Sequence, residues 1–142
     1  CGLGYDKEVE MIRLAHEMDL LTTPYVFNED EAKAMAEVGA DLIVAHVGLT
    51  TGGMIGAEVA MTMDEAIDTT MRIAEAARSV RKDVLVICHG GPFDYPENVA
   101  EAMKKMPGIN GFYGASSMER LPVERAITEQ VKAFKQIEVK PF

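Results

Sequence analysis

Apolar positions recur along this chain with two alternating periods, one helical and one extended. From Asp6 to Met18 the spacing i, i+3, i+4, i+7 gathers Met11, Leu14, Ala15 and Met18 on one stripe, which predicts a helix buried along that face. An apolar run from Leu20 to Phe27 reads as a strand. Asn28 with Glu31 three residues on forms a capping box, which opens a helix burying Ala32, Met35 and Ala36 and ending at Gly39. DLIVAHVG, from Asp41 to Gly48, is a second strand. Thr62 and Glu65 cap a helix reaching about Arg81, with Ile67, Thr70, Met71, Ala74 and Ala77 inward, and DVLVICHGG, from Asp83 to Gly91, is a third strand. Beyond Pro92 a helix with Pro96 in its first turn points Val99, Ala102, Met103 and Met106 inward and stops at Pro107 and Gly108. Ile109 to Tyr113 is a short fourth strand. Pro122 starts the last helix, whose apolar face is Val123, Ala126, Ile127, Val131 and Phe134.

Helices and strands alternate strictly, and no strand reads as a hairpin partner. That pattern predicts the α/β class: βα units around a parallel sheet with right-handed crossovers. Four such units are half of an eight-stranded barrel. Half a barrel leaves two sheet edges unpaired, so the chain is expected to close against a second half-barrel, either its own copy in a homo-oligomer or the N-terminal half of a longer chain. From the beginning at Cys1 and the end at QIEVKPF, a proteolytic or engineered piece is expected.

Composition narrows the partners. The 142 residues, 48% apolar, are enough for one ordinary core and are expected to form a single unit over 1–142. A net charge of -9 repels nucleic-acid phosphates and anionic lipid. No apolar stretch approaches the roughly 20 residues that span a bilayer. Two cysteines make no disulfide framework, which fits a reducing cytoplasm.

Chemistry gathers where strands end. His46 and His89 stand at equivalent places in two strands, each running into glycine, and strand C-terminal ends are where α/β sheets assemble active sites. A neutral imidazole near pH 7 donates or accepts a proton, so both are candidate acid/base residues; the structural alternative is a satisfied polar group at a strand end. His16 reads as a buried structural residue of the first helix. Cys88 alternates with His89 on its strand and reads as core. The connection from Leu49 to Met61 is longer than the usual βα loop of about 2–6 residues. Its glycines can serve as hinges, Thr50 and Thr51 offer hydroxyls to a substrate, and Glu58 is its one carboxylate, a candidate acid or base if the loop closes; the alternative is a flexible surface connection with Glu58 solvated. GASS lacks the spacing of a nucleophile elbow and there is no Walker lysine, so serine hydrolase and nucleoside triphosphatase readings fall away.

The segments GYDKEVEMIRLAHEMDLLTTPYVF, AHVGLTTGG, CHGGP and GFYGASSMERLP resemble the C-terminal half of the phosphoenolpyruvate hydrolase-like TIM-barrel family, which also takes in the C-terminal domain of a plant protein conferring resistance to tomato mosaic virus. The resemblance runs over nearly the whole chain and implies a (β/α)8 barrel of which this chain carries roughly strands five to eight, as the C-terminal half of the domain. In such barrels a phosphate commonly sits at the loops after the last two strands. Here those loops offer Gly90 and Gly91, then Gly114, Ala115, Ser116 and Ser117, with Arg120 as a two-pronged anion clamp. Ser116 with Glu119, and Asp94 with Glu97, also have capping-box spacing, and Arg120 could equally pair with a glutamate. Enzymes acting on phosphoenolpyruvate and pyruvate, which this family resembles, hold Mg2+ through acidic residues of earlier strands, outside this chain; no metal ligand is assigned here.

The resulting expectation is a phosphoenolpyruvate hydrolase-like TIM-barrel enzyme, a lyase or hydrolase acting on a small anionic metabolite, phosphorylated or a 2-oxo acid. The other reading is a non-catalytic barrel that serves in assembly or binds a protein partner.

Overall fold

A computed structural model describes residue 2 and residues 4–138; Cys1, Leu3 and the final residues 139–142 lie outside the described residues. The element order is α1 (Tyr5–Glu17), β1 (Tyr25–Val26), α2 (Glu29–Glu37), β2 (Leu42–His46), α3 (Met63–Val80), β3 (Leu85–His89), α4 (Pro96–Lys105), β4 (Gly111–Phe112), a one-turn α5 (Ser116–Glu119) and α6 (Leu121–Lys135). The four strands pair in parallel in chain order. This is α/β architecture with the run of strands that half a TIM barrel requires.

Local signals set the element starts. Asn28 accepts the Glu31 amide at 2.9 Å, while Thr62 and Glu65 make a reciprocal capping box at the start of α3. The two edge strands are shorter than the apolar runs that predict them. The stretch before β1 is nonetheless extended and bonded to β2, since Leu42 and Val44 donate to the carbonyls of Thr22 and Pro24. β4 gains pairing in the same way, with Asn110 and Tyr113 donating to Val86 and Cys88.

One face of the sheet is a conventional core. Val26, Ala45, Val86 and Cys88 point towards the helices and meet Ala32, Met35, Ile73, Ala74 and Ala77, all essentially excluded from solvent. The alanines of α2 and α3 let the helices lie close on the sheet. α4 packs Ala102 and Met106 as its spacing predicts.

The terminal helices depart from expectation. Met11 and Leu14 of α1 with Met18 at its C-terminal cap, and Val123, Ile127, Val131 and Phe134 of α6, are exposed, although the periodicity marks them as buried faces. α1 reaches the core instead through Tyr5, Val9 and Ile12. Among the described residues nothing covers these two apolar stripes. His16 is also exposed rather than buried; its imidazole lies over Gly39, where a Cβ would collide with the ring and where φ is +93°. Glycine is therefore required there on two grounds.

At the opposite end from the histidines, Asp41 ties the first two extended segments together. Its carboxylate accepts the Thr22 amide at 2.8 Å and the Thr22 hydroxyl at 2.9 Å, and its own amide donates to that hydroxyl. Thr22 is buried, and these bonds hold the Asp41 carboxyl below its ordinary range. Asp41→Ala leaves two donors of a buried threonine without an acceptor, and should lower the urea-unfolding free energy by about 1–3 kcal/mol. The folded pKa is depressed, so this stabilisation is present above the ordinary aspartate value and is lost as pH falls through the folded one.

Candidate active site

β2 and β3 end side by side. His46 and His89 are register partners, and being the last residues of parallel strands they project together from the strand C-terminal ends. Strand alternation puts them on the face opposite Ala45 and Cys88, away from the helix-side core. Burial raises the Cys88 thiol to about 11, as suits a packing residue.

The two rings, 4.9 Å apart between centroids, carry their protons at different places. Nδ1 of His89 lies 2.6 Å from the Tyr113 carbonyl oxygen, and a carbonyl only accepts, so Nδ1 bears the hydrogen and Nε2 of the neutral ring keeps a lone pair. Nδ1 of His46 accepts the Gly48 amide at 3.1 Å, so its proton resides on Nε2. One ring thus offers a free acceptor and the other a free donor.

Aromatic rings pack around the pair. Tyr25 stacks on His89 at 4.9 Å, Phe27 lies 4.9 Å from His46, and Tyr113 tilts against His89 at 5.7 Å. None of the three is evident from motif spacing, because their meeting depends on register between strands. Burial and the Tyr113 charge raise the Tyr25 phenol and keep it protonated.

Burial, and next the charge of His89, lower the His46 pKa below its ordinary 6.5. The fold therefore favours the neutral ring. The associated stability is present above about pH 6.5 and declines as pH falls through the depressed value. His46→Asn should flatten the fall in melting temperature between pH 7 and 5 by comparison with the native protein; an identical slope would exclude His46 as its source.

Both imidazoles, with Thr50, Gly56, Ala115, Ser116 and Arg120, line a single cleft of about 610 Å³. Several other predicted residues lie elsewhere. Gly90 and Gly91 do not line it: the Gly91 amide donates to Gly48 at 2.9 Å, and a Cβ on Gly90 would strike the same carbonyl oxygen. These glycines serve the close approach of two loops, which leaves the Gly91 amide committed. Thr51 turns away to donate to Asp94 at 2.9 Å and to the Gly91 carbonyl at 3.2 Å. Ser117 faces a different groove, beside Val99, Phe112 and Met118. Glu58 is exposed on the outer part of the loop and does not line the cleft.

Neither of the two expected capping boxes near the mouth forms. α5 begins at Ser116, is preceded by Ala115 with no side-chain cap, and leaves Glu119 exposed. α4 likewise lacks a side-chain cap at Tyr95. Asp94 is instead a buried anchor, accepting Thr51, the Tyr95 amide at 2.8 Å and Asn98 at 2.7 Å. Arg120 pairs with Glu124 at 2.9 Å and donates to the Gly52 carbonyl at 3.2 Å, leaving N–H groups of its five unassigned.

Parallel βα units with paired polar groups at the strand C-terminal ends define a TIM-barrel type of site, although this chain holds only part of the ring. The chain matches the phosphoenolpyruvate hydrolase-like family over residues 1–137 and belongs to it. It is 57% identical over 136 residues to the ToMV susceptible protein tm-1(GCR26) and to the ToMV resistance protein Tm-1(GCR237), both of Solanum lycopersicum. Each match covers 96% of this chain and 18% of the relative, so the chain spans less than a fifth of their length. Among solved structures, DHDPS from Cyanidioschyzon merolae with lysine bound is similar with a TM-score of 0.54 and 12% identity, over 84% of this chain and 41% of that one. That likeness is one of fold, and a match to under half of a barrel agrees with four strands of eight. Among the described residues no helix is long and apolar enough to cross a membrane.

Proposed function

We propose that this chain supplies the acid/base residues of a barrel enzyme acting on a small anionic metabolite, a phosphorylated or 2-oxo acid, at a bond beside its carbonyl or enol. The observation that carries this reading is the histidine pair with opposite free valences in one cleft. His89 Nε2 takes up a proton, from the carbon next to the carbonyl or from an attacking water. His46 Nε2–H donates to the oxygen on which charge develops. Arg120 and the amides of Ala115, the residue before α5, and Ser116, its first residue, hold the anion. Thr50 supplies a neutral hydroxyl at the rim.

We assign the remaining half of the ring to a second half-barrel, which also covers the apolar sheet face. Among the described residues no group of three His, Cys, Asp or Glu side chains converges as a metal site. The test is calorimetry and turnover of the full-length protein with phosphoenolpyruvate, oxaloacetate and related acids. Micromolar to millimolar binding with turnover is expected. Absence of both, with retained binding of a protein partner, would favour a non-catalytic assembly module.

A further inference from the structure

Arg120 does not stand in the cleft alone. Its Nη1 meets Glu124 at 2.9 Å, its Nη2 meets the Gly52 carbonyl at 3.2 Å, and the second oxygen of Glu124 accepts the Met54 amide at 2.9 Å. Arg120 and Glu124 side chains are only 19% and 16% exposed, far less than the helix-surface pairs elsewhere in the chain. Gly53 is packed into this knot: its φ is +75°, and a Cβ there would collide with Glu124, Arg120 and Leu121. A single carboxylate therefore holds the guanidinium at the cleft wall and the long loop after β2 at the cleft mouth.

We propose that Glu124 is the positioning residue of the anion subsite. It sets the plane of Arg120 so that the remaining N–H groups face the cleft, and through Met54 it fixes the loop that bounds the same space. A guanidinium held at two points loses less freedom when it takes a bidentate oxyanion such as a carboxylate or phosphate. The proposal rests on the anionic-ligand reading given above, and it adds a residue on α6 whose own side chain need not touch the ligand.

Two substitutions separate the two tasks. Glu124→Gln keeps a carbonyl oxygen for the Met54 amide but presents an NH2 group, or no charge, to Arg120. Glu124→Ala removes both functions. In the full-length protein without ligand, Met54 amide exchange should speed up at least about tenfold in E124A and stay near native in E124Q. With phosphoenolpyruvate as the calorimetric probe, both variants should bind about tenfold more weakly, and in an Arg120→Ala background E124Q should cost nothing further. A Glu124 that only braces helix and loop predicts native affinity for E124Q, and that result, or additive losses in the cycle, would overturn the proposal. Native protein that binds neither phosphoenolpyruvate nor oxaloacetate would remove the anion reading itself, and the subsite role with it. Unchanged Met54 exchange in E124A would separately refute the clasp.

Discussion

His89→Gln in the full-length protein should depress kcat by about 10²–10⁴-fold, the range that general acid/base groups contribute, while leaving the dissociation constant of the substrate within about threefold. The expectation follows from the placement of one proton. The Tyr113 carbonyl places the hydrogen of the neutral His89 ring on Nδ1, which leaves the lone pair of that ring on Nε2. Glutamine retains an N–H donor but cannot take up a proton near neutral pH. Turnover of phosphoenolpyruvate or oxaloacetate measured alongside calorimetric binding separates the two quantities. If both were native in the variant, the enzymatic reading would give way to the binding-module one.

The second large effect concerns assembly. Residues 1–142 alone, at micromolar concentration, should sediment as a dimer or larger species. On the sheet face that carries the histidines Leu85 is 46% exposed, Phe27 50% and Tyr113 43%, and among the described residues the terminal helices add exposed apolar stripes. Apolar area on this scale is uncommon on a monomer, and burying each such side chain contributes about 1.5–3 kcal/mol. Leu85→Glu with Phe27→Glu should therefore weaken association by about two to three powers of ten. A well-behaved monomer of the unaltered chain in sedimentation velocity would contradict the half-barrel reading.

The two uncovered helices show where periodicity stops being informative. The stripe of α6 is legible in sequence, and so is that of α1, because a helix records which side is apolar. Neither stripe records what covers it, and among the described residues both stripes stay exposed. Capping behaves differently. Asn28 with Glu31 and Thr62 with Glu65 form as their spacing predicts, since every atom involved lies within one turn. Ser116 with Glu119 and Asp94 with Glu97 have the same spacing and form no box. At Asp94 the competing partner, Thr51, comes from a loop more than forty residues earlier, so no local pattern could disclose it.

By itself the sequence determined the alternation of helices and parallel strands, the strand-end placement of His46 and His89, the core role of Cys88 and the family resemblance, because these depend on short-range periodicity or on the words of the chain. Tertiary structure alone decided which ring nitrogen of each histidine is free, that Tyr25, Phe27 and Tyr113 surround the pair, and that Ser116 faces the cleft while Ser117 turns away. It also decided that Gly91 gives its amide to a neighbouring loop and that Glu124 reaches Arg120 and Met54 together. Most of these are meetings of groups from different segments of the chain, and the short-range ones, His46 with Gly48 and Arg120 with Glu124, hold only in the loop and helix conformation their surroundings impose. Their distance is set by strand register and loop packing, which no single segment encodes.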